Sequence, residues 1–320
     1  MSFATKLIGW QRRHGRHDLP WQGTRDPYRI WLSEVMLQQT QVATVIPYYS
    51  RFLETYPTVE ALAAASEEEV LQLWAGLGYY SRGRNLHKAA RVIAQHGFPA
   101  TQQTIEQLPG IGRSTAAAIA AFAFGERAAI LDGNVKRVLA RCFATNDKEK
   151  LWARAEALLP RKDVETYTQA LMDLGATVCT RLKPSCAACP VRQDCVAHAK
   201  GWADRFPAPR ARKALPLKET TWWVILKGTK VLMEKRPSPG IWGGLLAFPE
   251  AKRPGWAVKK RLAVVEHGFT HFRLRATPLV CRAKDARIDE GQRWIEIEKA
   301  VDAPVPAPVK TLLRKLRGGA

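Results

Sequence analysis

The stretch Leu108-Pro-Gly-Ile-Gly-Arg-Ser-Thr115 decides how the first part of this chain is read. It stands between two segments of helical pattern, Thr101–Gln107 and Ser114–Phe124. Gly110 and Gly112 permit backbone conformations closed to other residues and let the chain come close to a ligand. Ahead of a helix start, their N–H groups would point at an anion such as a phosphate. A plain helix–helix turn could use the same residues, so the motif draws its weight from what surrounds it.

Charge is the first support. Lys and Arg outnumber Asp and Glu by 50 to 29, and the formal net charge is +21, which attracts polyanions over long range. Nucleic acid is the leading partner class, with anionic lipid as the alternative. The N-terminal segment Met1–Trp21 carries several charges and lacks the apolar run of a signal peptide. No stretch of about 20 apolar residues occurs elsewhere, so no membrane partner is expected. The expected location is the cytoplasm, where six cysteines are ligands or free thiols rather than disulfides.

From Thr5 to about Ala199 apolar residues recur at helical spacing with breaks at Pro or Gly, as in Ile30 to Ile46. The segment Arg205-Phe-Pro-Ala-Pro-Arg-Ala-Arg-Lys-Ala-Leu-Pro216 favours an extended, solvated connection. Beyond it, Thr220–Lys227, Lys230–Lys235, Leu245–Phe248, Arg273–Cys281 and Arg293–Ile297 read as strands, and Val309 to Arg317 reads as a helix. The chain thus divides into an all-α domain over 1–202, a basic Pro-rich linker over 203–218 and an α+β domain over 219–320.

Four cysteines follow the spacing Cys179-x6-Cys186-x2-Cys189-x5-Cys195. Structural zinc sites more often pair two short knuckles across a longer gap, and only one C-x-x-C is present here. An iron–sulfur cluster also takes four thiolates, and unliganded core thiols are the bland reading. Cys142 and Cys281 lie outside the pattern and read as ordinary buried thiols. Arg181, Lys183 and Arg192 flank the ligands and could meet a phosphate backbone.

Two carboxylates stand out. In Ile130-Leu-Asp-Gly-Asn134, Asp132 precedes the helical run Val135–Cys142, where an aspartate often serves only as a cap. Glu34 lies in Trp31-Leu-Ser-Glu-Val-Met-Leu-Gln-Gln39, either on a solvated edge or partly desolvated. Desolvation would raise its pKa toward a value useful in a general acid.

These residues together resemble the helix-hairpin-helix DNA glycosylases, and within them the MutY family of adenine DNA glycosylases. The motifs that carry the resemblance are Pro27–Val42, Gly76-Leu-Gly-Tyr-Tyr80, Leu108–Ser114, Ile130–Val138 and the four-Cys loop, which span nearly all of the first domain. The resemblance implies a [4Fe–4S] cluster on Cys179, Cys186, Cys189 and Cys195. It implies that Glu34 protonates adenine at N7 and that Asp132 faces the sugar as positive charge develops, much as two carboxyl groups divide the work in glycoside hydrolysis. Asn134 and Ser114 would orient water or the sugar, and Trp21, Gln22 and Gln169 would line the adenine pocket.

Relatives that also cut the DNA backbone, such as endonuclease III, carry a lysine where this chain has Ser114. Its amine forms a Schiff base with the sugar. Without it, base removal is expected to proceed without efficient strand cleavage. His17 stands where some members carry lysine, with no firm consequence. The base must leave the stack to be reached; the resemblance gives Gln39 and Tyr79 the prising role and places Thr40 and Leu77 near the orphaned 8-oxoguanine. Gly110 and Gly112 would hold the backbone.

Residues from about Thr220 resemble the C-terminal Nudix-like domain of that family, on Glu234-Lys-Arg-Pro-Ser-Pro-Gly-Ile-Trp-Gly-Gly-Leu-Leu-Ala-Phe-Pro-Glu250. Gly244 and Glu250 fit the start of a hydrolase box. Val258 and Lys259 occupy the positions due to an Arg-Glu pair, and the following acidic pair is absent, so metal-assisted hydrolysis has no site. The domain reads as a recogniser, with Phe269-Thr-His271 where the family has Phe-Ser-His; Thr270 keeps a hydroxyl able to bond the damaged base. The resemblance therefore implies a monofunctional, monomeric, bacterial-type enzyme of base excision repair, associated with the nucleoid. It would remove adenine from double-stranded DNA opposite 8-oxoguanine or guanine. Ser114 argues against an endonuclease III-like lyase, and Glu34 with Asp132 argues against a non-catalytic DNA-binding protein.

Overall fold

The structure, a computed structural model, describes residues 1–208, 214–238, 240–253, 255–283 and 288–318. Part of the expected linker, 209–213, lies outside the described residues, as does Pro239 within the Nudix-like motif. The chain packs as two compact units, one of residues 1–63 and 88–211, the other of residues 64–87 and 212–320. The packing division is therefore not contiguous in sequence: residues 64–87, of helical pattern, pack with the C-terminal part. Among the described residues no helix is long and apolar enough to cross a membrane.

The first unit is helical, and three of its helices position chemistry. Pro27–Leu37 starts where Asp26 accepts from the Tyr28 N–H and Pro27 fits the first turn. It buries Ile30, Trp31, Leu32, Val35 and Met36, which leaves Glu34 on the remaining face. Arg113–Phe124 is an alanine run whose Ala116, Ala117, Ala120 and Ala121 are fully buried. Small side chains let neighbouring helices come close, and the helix stops at Gly125 with φ 69°, a left-handed turn that glycine adopts without strain. Gly133–Cys142 begins at Asp132, whose carboxylate accepts from the Val135 N–H at 2.7 Å. The helix Val164–Asp173 runs into a π-helical turn, Leu174–Val178, that delivers Cys179.

Among the described residues the second unit has seven strands: β1 (Leu217–Lys227), β2 (Lys230–Lys235), β3 (Leu246–Ala247), β4 (Trp256–Arg261), β5 (Val265–Gly268), β6 (Arg273–Ala283) and β7 (Gln292–Glu296). The order is β3-β2-β1-β6-β4, with β5 also on β6 and β7 also on β2. β1 and β6 run parallel, from Leu217 opposite Arg273 to Leu226 opposite Arg282. Both faces at the centre of β1 are covered. Trp222 and Val224 join the main core with Leu312 and Leu313 of the helix Ala307–Arg317, while Trp223 and Ile225 pack with Leu232 and Cys281. Coverage on both sides explains the unbroken apolar run in β1, where one open face would give alternation. Residues 64–87 contribute Leu71, fully buried in the same core.

The strands expected at 220–227, 230–235, 245–248, 273–281 and 293–297 and the final helix all occur with ends within three residues of those expected, the strand Leu246–Ala247 being shorter than expected. β4 and β5 were not expected. β4 is a sheet edge whose Ala257 to Arg261 are exposed, so it buries no face and shows no hydrophobic alternation.

Candidate active site

One pocket of about 1300 Å³ opens in the first unit, and the candidate residues Glu34, Asp132, Asn134, Ser114, Trp21, Gln22, Gln169, Gln39 and Thr40 all line it. Elements far apart in sequence thus converge on a single cavity. Glu34 comes from the helix Pro27–Leu37 and is half-buried where it lines the pocket. Burial, with a smaller contribution from the charge of Asp132, pushes its pKa up to about 8. A carboxyl group of that kind stays protonated at neutral pH and can donate a proton.

Asp132 is also buried but has hydrogen-bond donors that Glu34 lacks. Burial raises its pKa, but N–H donors from Val135 and Asn134 and the nearby charge of Arg137 work against that rise. Donors aimed at a carboxylate favour its charged form. The net shift of Asp132 remains upward, with burial its largest cause, while these donors and Arg137 limit the rise.

The hairpin is placed as its sequence suggests. Gly110 has φ 80°, in the left-handed region, and Gly112 occupies the N-cap of the helix Arg113–Phe124 with no side chain over the first N–H groups. Those donors are available to an anion. Ser114 accepts from the Leu131 N–H at 3.0 Å, tying the hairpin to the segment that carries Asp132. Gln38 donates weakly to Thr115 and to the Gly110 carbonyl, at 3.3 and 3.4 Å, linking the Glu34 helix to the same hairpin. Gln39, next in the chain, is exposed with φ 58°. A left-handed conformation in a non-glycine residue is strained and concentrates at functional positions.

Trp21 is buried edge-on against Tyr49, with ring centroids 5.4 Å apart, and forms a wall of the pocket. Gln22 is held at both ends: its carbonyl accepts from the Leu19 N–H and its amide donates to the Arg16 carbonyl. Gln169 donates to Asp173. Arg16 and Asp173 belong to the site's support and escaped the sequence reading. Asp173 carries the same signal as Glu34, a carboxylate amid Ala170, Leu171 and Leu174.

The four candidate metal ligands, Cys179, Cys186, Cys189 and Cys195, line a separate cavity of about 30 Å³. Arg141, 4% exposed, donates to the Cys179 sulfur at 3.2 Å and to the carbonyls of Thr180, Arg181, Ala203 and Phe206. Arg137 spans the two regions, donating to Cys179 O at 2.7 Å, Gly175 O at 2.5 Å and Asn134 Oδ1 at 2.8 Å. Packing there is close: a Cβ on Gly175 would lie 2.6 Å from the Asn134 Cβ, so only glycine fits.

The remaining candidates belong to the second unit. Tyr79 is 45% exposed with φ 46°, and its hydroxyl lies 3.3 Å from the Thr270 hydroxyl. Arg82 packs over both Tyr79 and Trp74, at 5.5 and 5.3 Å from their ring centroids. Leu77 is buried, 6% exposed. Thr270 and His271 are exposed at the tip of a turn closed by the Phe269 N–H donating to Phe272 O at 2.9 Å. Phe269 and Phe272 stack at 4.3 Å beneath them. Lys259 sits in the edge strand β4, where a hydrolase would need glutamate.

The chain matches two family models: HhH-GPD superfamily base excision DNA repair protein over residues 32–161, and NUDIX domain over residues 221–315. It is 33% identical to an adenine DNA glycosylase of Buchnera aphidicola subsp. Acyrthosiphon pisum, over 98% of this chain and 97% of the relative. An adenine DNA glycosylase of Rattus norvegicus is 45% identical over 98% of this chain and 77% of its own, and that of Homo sapiens is 33% identical over 99% and 74%. Among solved structures, a thermostable thymine-DNA glycosylase is similar with a TM-score of 0.58 and 30% identity, over 62% of this chain and 95% of that one. An endonuclease III solved with DNA is similar in fold, with a TM-score of 0.55 and 23% identity over 62% and 94%.

Proposed function

Since this chain belongs to the adenine DNA glycosylases, base excision repair enzymes built on the HhH-GPD fold, we propose that it is monofunctional and hydrolyses the N-glycosidic bond of adenine paired with 8-oxoguanine or guanine. The observation that carries this reading is the pairing, in one pocket, of Glu34 with a pKa near 8 and Asp132 held by donors that favour its charge.

The chemistry runs between those two groups. Glu34 gives its proton to the flipped adenine, so the N9–C1′ bond can break with the electron pair leaving on a neutral base. Positive charge then grows on the sugar, and Asp132 opposes it with a negative charge that needs no reorganisation. Water adds to C1′ and passes its proton to a carboxylate, leaving an abasic site. Ser114 has no amine to form a Schiff base, which supports base release without strand cleavage.

The four cysteines support a [4Fe–4S] cluster. They line one cavity, and four thiolates are the donor set such a cluster takes. Bound there, it would act as a structural clasp. Arg141 and Arg137 hold the loop to the helix that begins at Asp132. Visible absorbance with iron rather than zinc in the purified protein supports this assignment; zinc alone contradicts it.

Recognition of 8-oxoguanine falls to Thr270 and His271, exposed at the turn beside Tyr79. The enzyme is taken to act as a cytoplasmic monomer on double-stranded DNA. The test is adenine release from duplexes carrying adenine opposite 8-oxoguanine, guanine and thymine, with alkali added to reveal abasic sites. The first two duplexes should react, and the first fastest. Thr270→Ala should lower the 8-oxoguanine to guanine rate ratio by about 3- to 10-fold, the value of one hydrogen bond. An unchanged ratio removes Thr270 from recognition.

A further inference from the structure

Asp173 is completely buried at the end of the helix Val164–Asp173, and every group that reaches its carboxylate is a donor. Arg16 supplies its backbone N–H to Oδ2 at 2.9 Å, and its guanidinium to Oδ1 at 2.8 Å through Nε and 2.6 Å through Nη2. Gln169 Nε2 donates to the same Oδ1 at 2.9 Å. A carboxylate facing a guanidinium only accepts, so the Gln169 amide can take just one orientation: its nitrogen must face Asp173, and its carbonyl oxygen is left for the pocket that Gln169 lines. Gln22, another amide lining the pocket, is already fixed at both ends by backbone groups.

We propose that Asp173 is a positioning residue for base selection: by holding the Gln169 nitrogen it presents an acceptor to the flipped base and so favours a purine with an amino group at C6. Adenine offers a donor at that position, whereas guanine and hypoxanthine offer a carbonyl oxygen. Against a fixed acceptor the carbonyl meets repulsion and an unpaired polar group, and sites built to hydrogen-bond one group reject the analogue that lacks it. This inference rests on the adenine glycosylase reading above and adds to it which residue sets the polarity of the pocket.

Asp173→Asn tests it, because an amide at 173 can accept or donate and lets Gln169 turn over. Base release is measured under single-turnover conditions from duplexes with adenine, purine or hypoxanthine opposite 8-oxoguanine. In D173N the adenine to hypoxanthine rate ratio should fall by about tenfold or more. In a Gln169→Leu background the same change should alter that ratio by less than roughly twofold, since the effect passes through Gln169. An unchanged ratio in folded D173N overturns the proposal, and so does an equal fall without Gln169. If D173N does not fold, the wild-type protein decides: purine, with no exocyclic group, should react faster than hypoxanthine, and the reverse order overturns the proposal. Release of none of the three bases by the wild-type protein would instead sink the glycosylase reading, and this inference with it.

Discussion

Glu34→Gln is expected to lower adenine release by about 10³-fold while duplex binding persists, the loss that follows when a positioned general acid is removed. Glutamine fills the same space and keeps a polar end, but it has no proton to give. An equal loss of binding and release would instead make Glu34 structural. The pH dependence separates the two further. Because the Glu34 pKa lies near 8, the wild-type rate should fall about tenfold per unit above that value. The residual rate of E34Q should lack this inflection.

The same group makes a stability prediction of opposite sign. Glu34 ionises near 4.5 when unfolded and near 8 in the fold. Between those values the unfolded chain has lost a proton that the native state keeps, so raising the pH through this window favours unfolding, and the penalty is complete above about 8. It amounts to a few kcal/mol at most. E34Q should therefore melt higher than wild type at alkaline pH and show no such gain below about pH 4. Activity here is held at the expense of stability, as expected of a buried acid in an active site.

Asp132→Asn is the second large effect. Asp132 is both a helix cap and a candidate electrostatic partner for the sugar, and the substitution separates those roles. Asparagine caps as well as aspartate does, so the Val135 N–H keeps its acceptor and the melting temperature should change little. The negative charge is lost, and base release should fall by about 10²- to 10³-fold. Removing that charge also removes one cause of the raised Glu34 pKa, so the inflection in any residual rate should move to lower pH. A matching loss of stability and activity would reduce Asp132 to its capping role.

How far these features were legible depended on how local their physical signal is. The hairpin and the Asp132 cap each write their role into a few adjacent residues, and the fold places them accordingly; the four cysteines of the loop line one cavity. The strands of the second unit with a buried face were equally clear. β4 was invisible because its Lys259, Lys260 and Arg261 face solvent at a sheet edge. The packing of residues 64–87 with the C-terminal strands could not be read either, since a helix period reveals which face is buried and not what covers it. Glu34 was undecided in sequence between solvated edge and desolvated acid; only the walls supplied by other segments settle its pKa. Asp173 and Arg16 went unnoticed for the same reason, because their pairing joins residues 157 positions apart.

The central claim is hydrolysis of adenine opposite 8-oxoguanine, and its most direct test is to incubate the purified protein with that duplex and quantify both free adenine and strand integrity before alkali. One adenine should be released per abasic site, with the strand intact until alkali is added. An absence of free adenine, or strand breaks forming in step with it, would contradict the account.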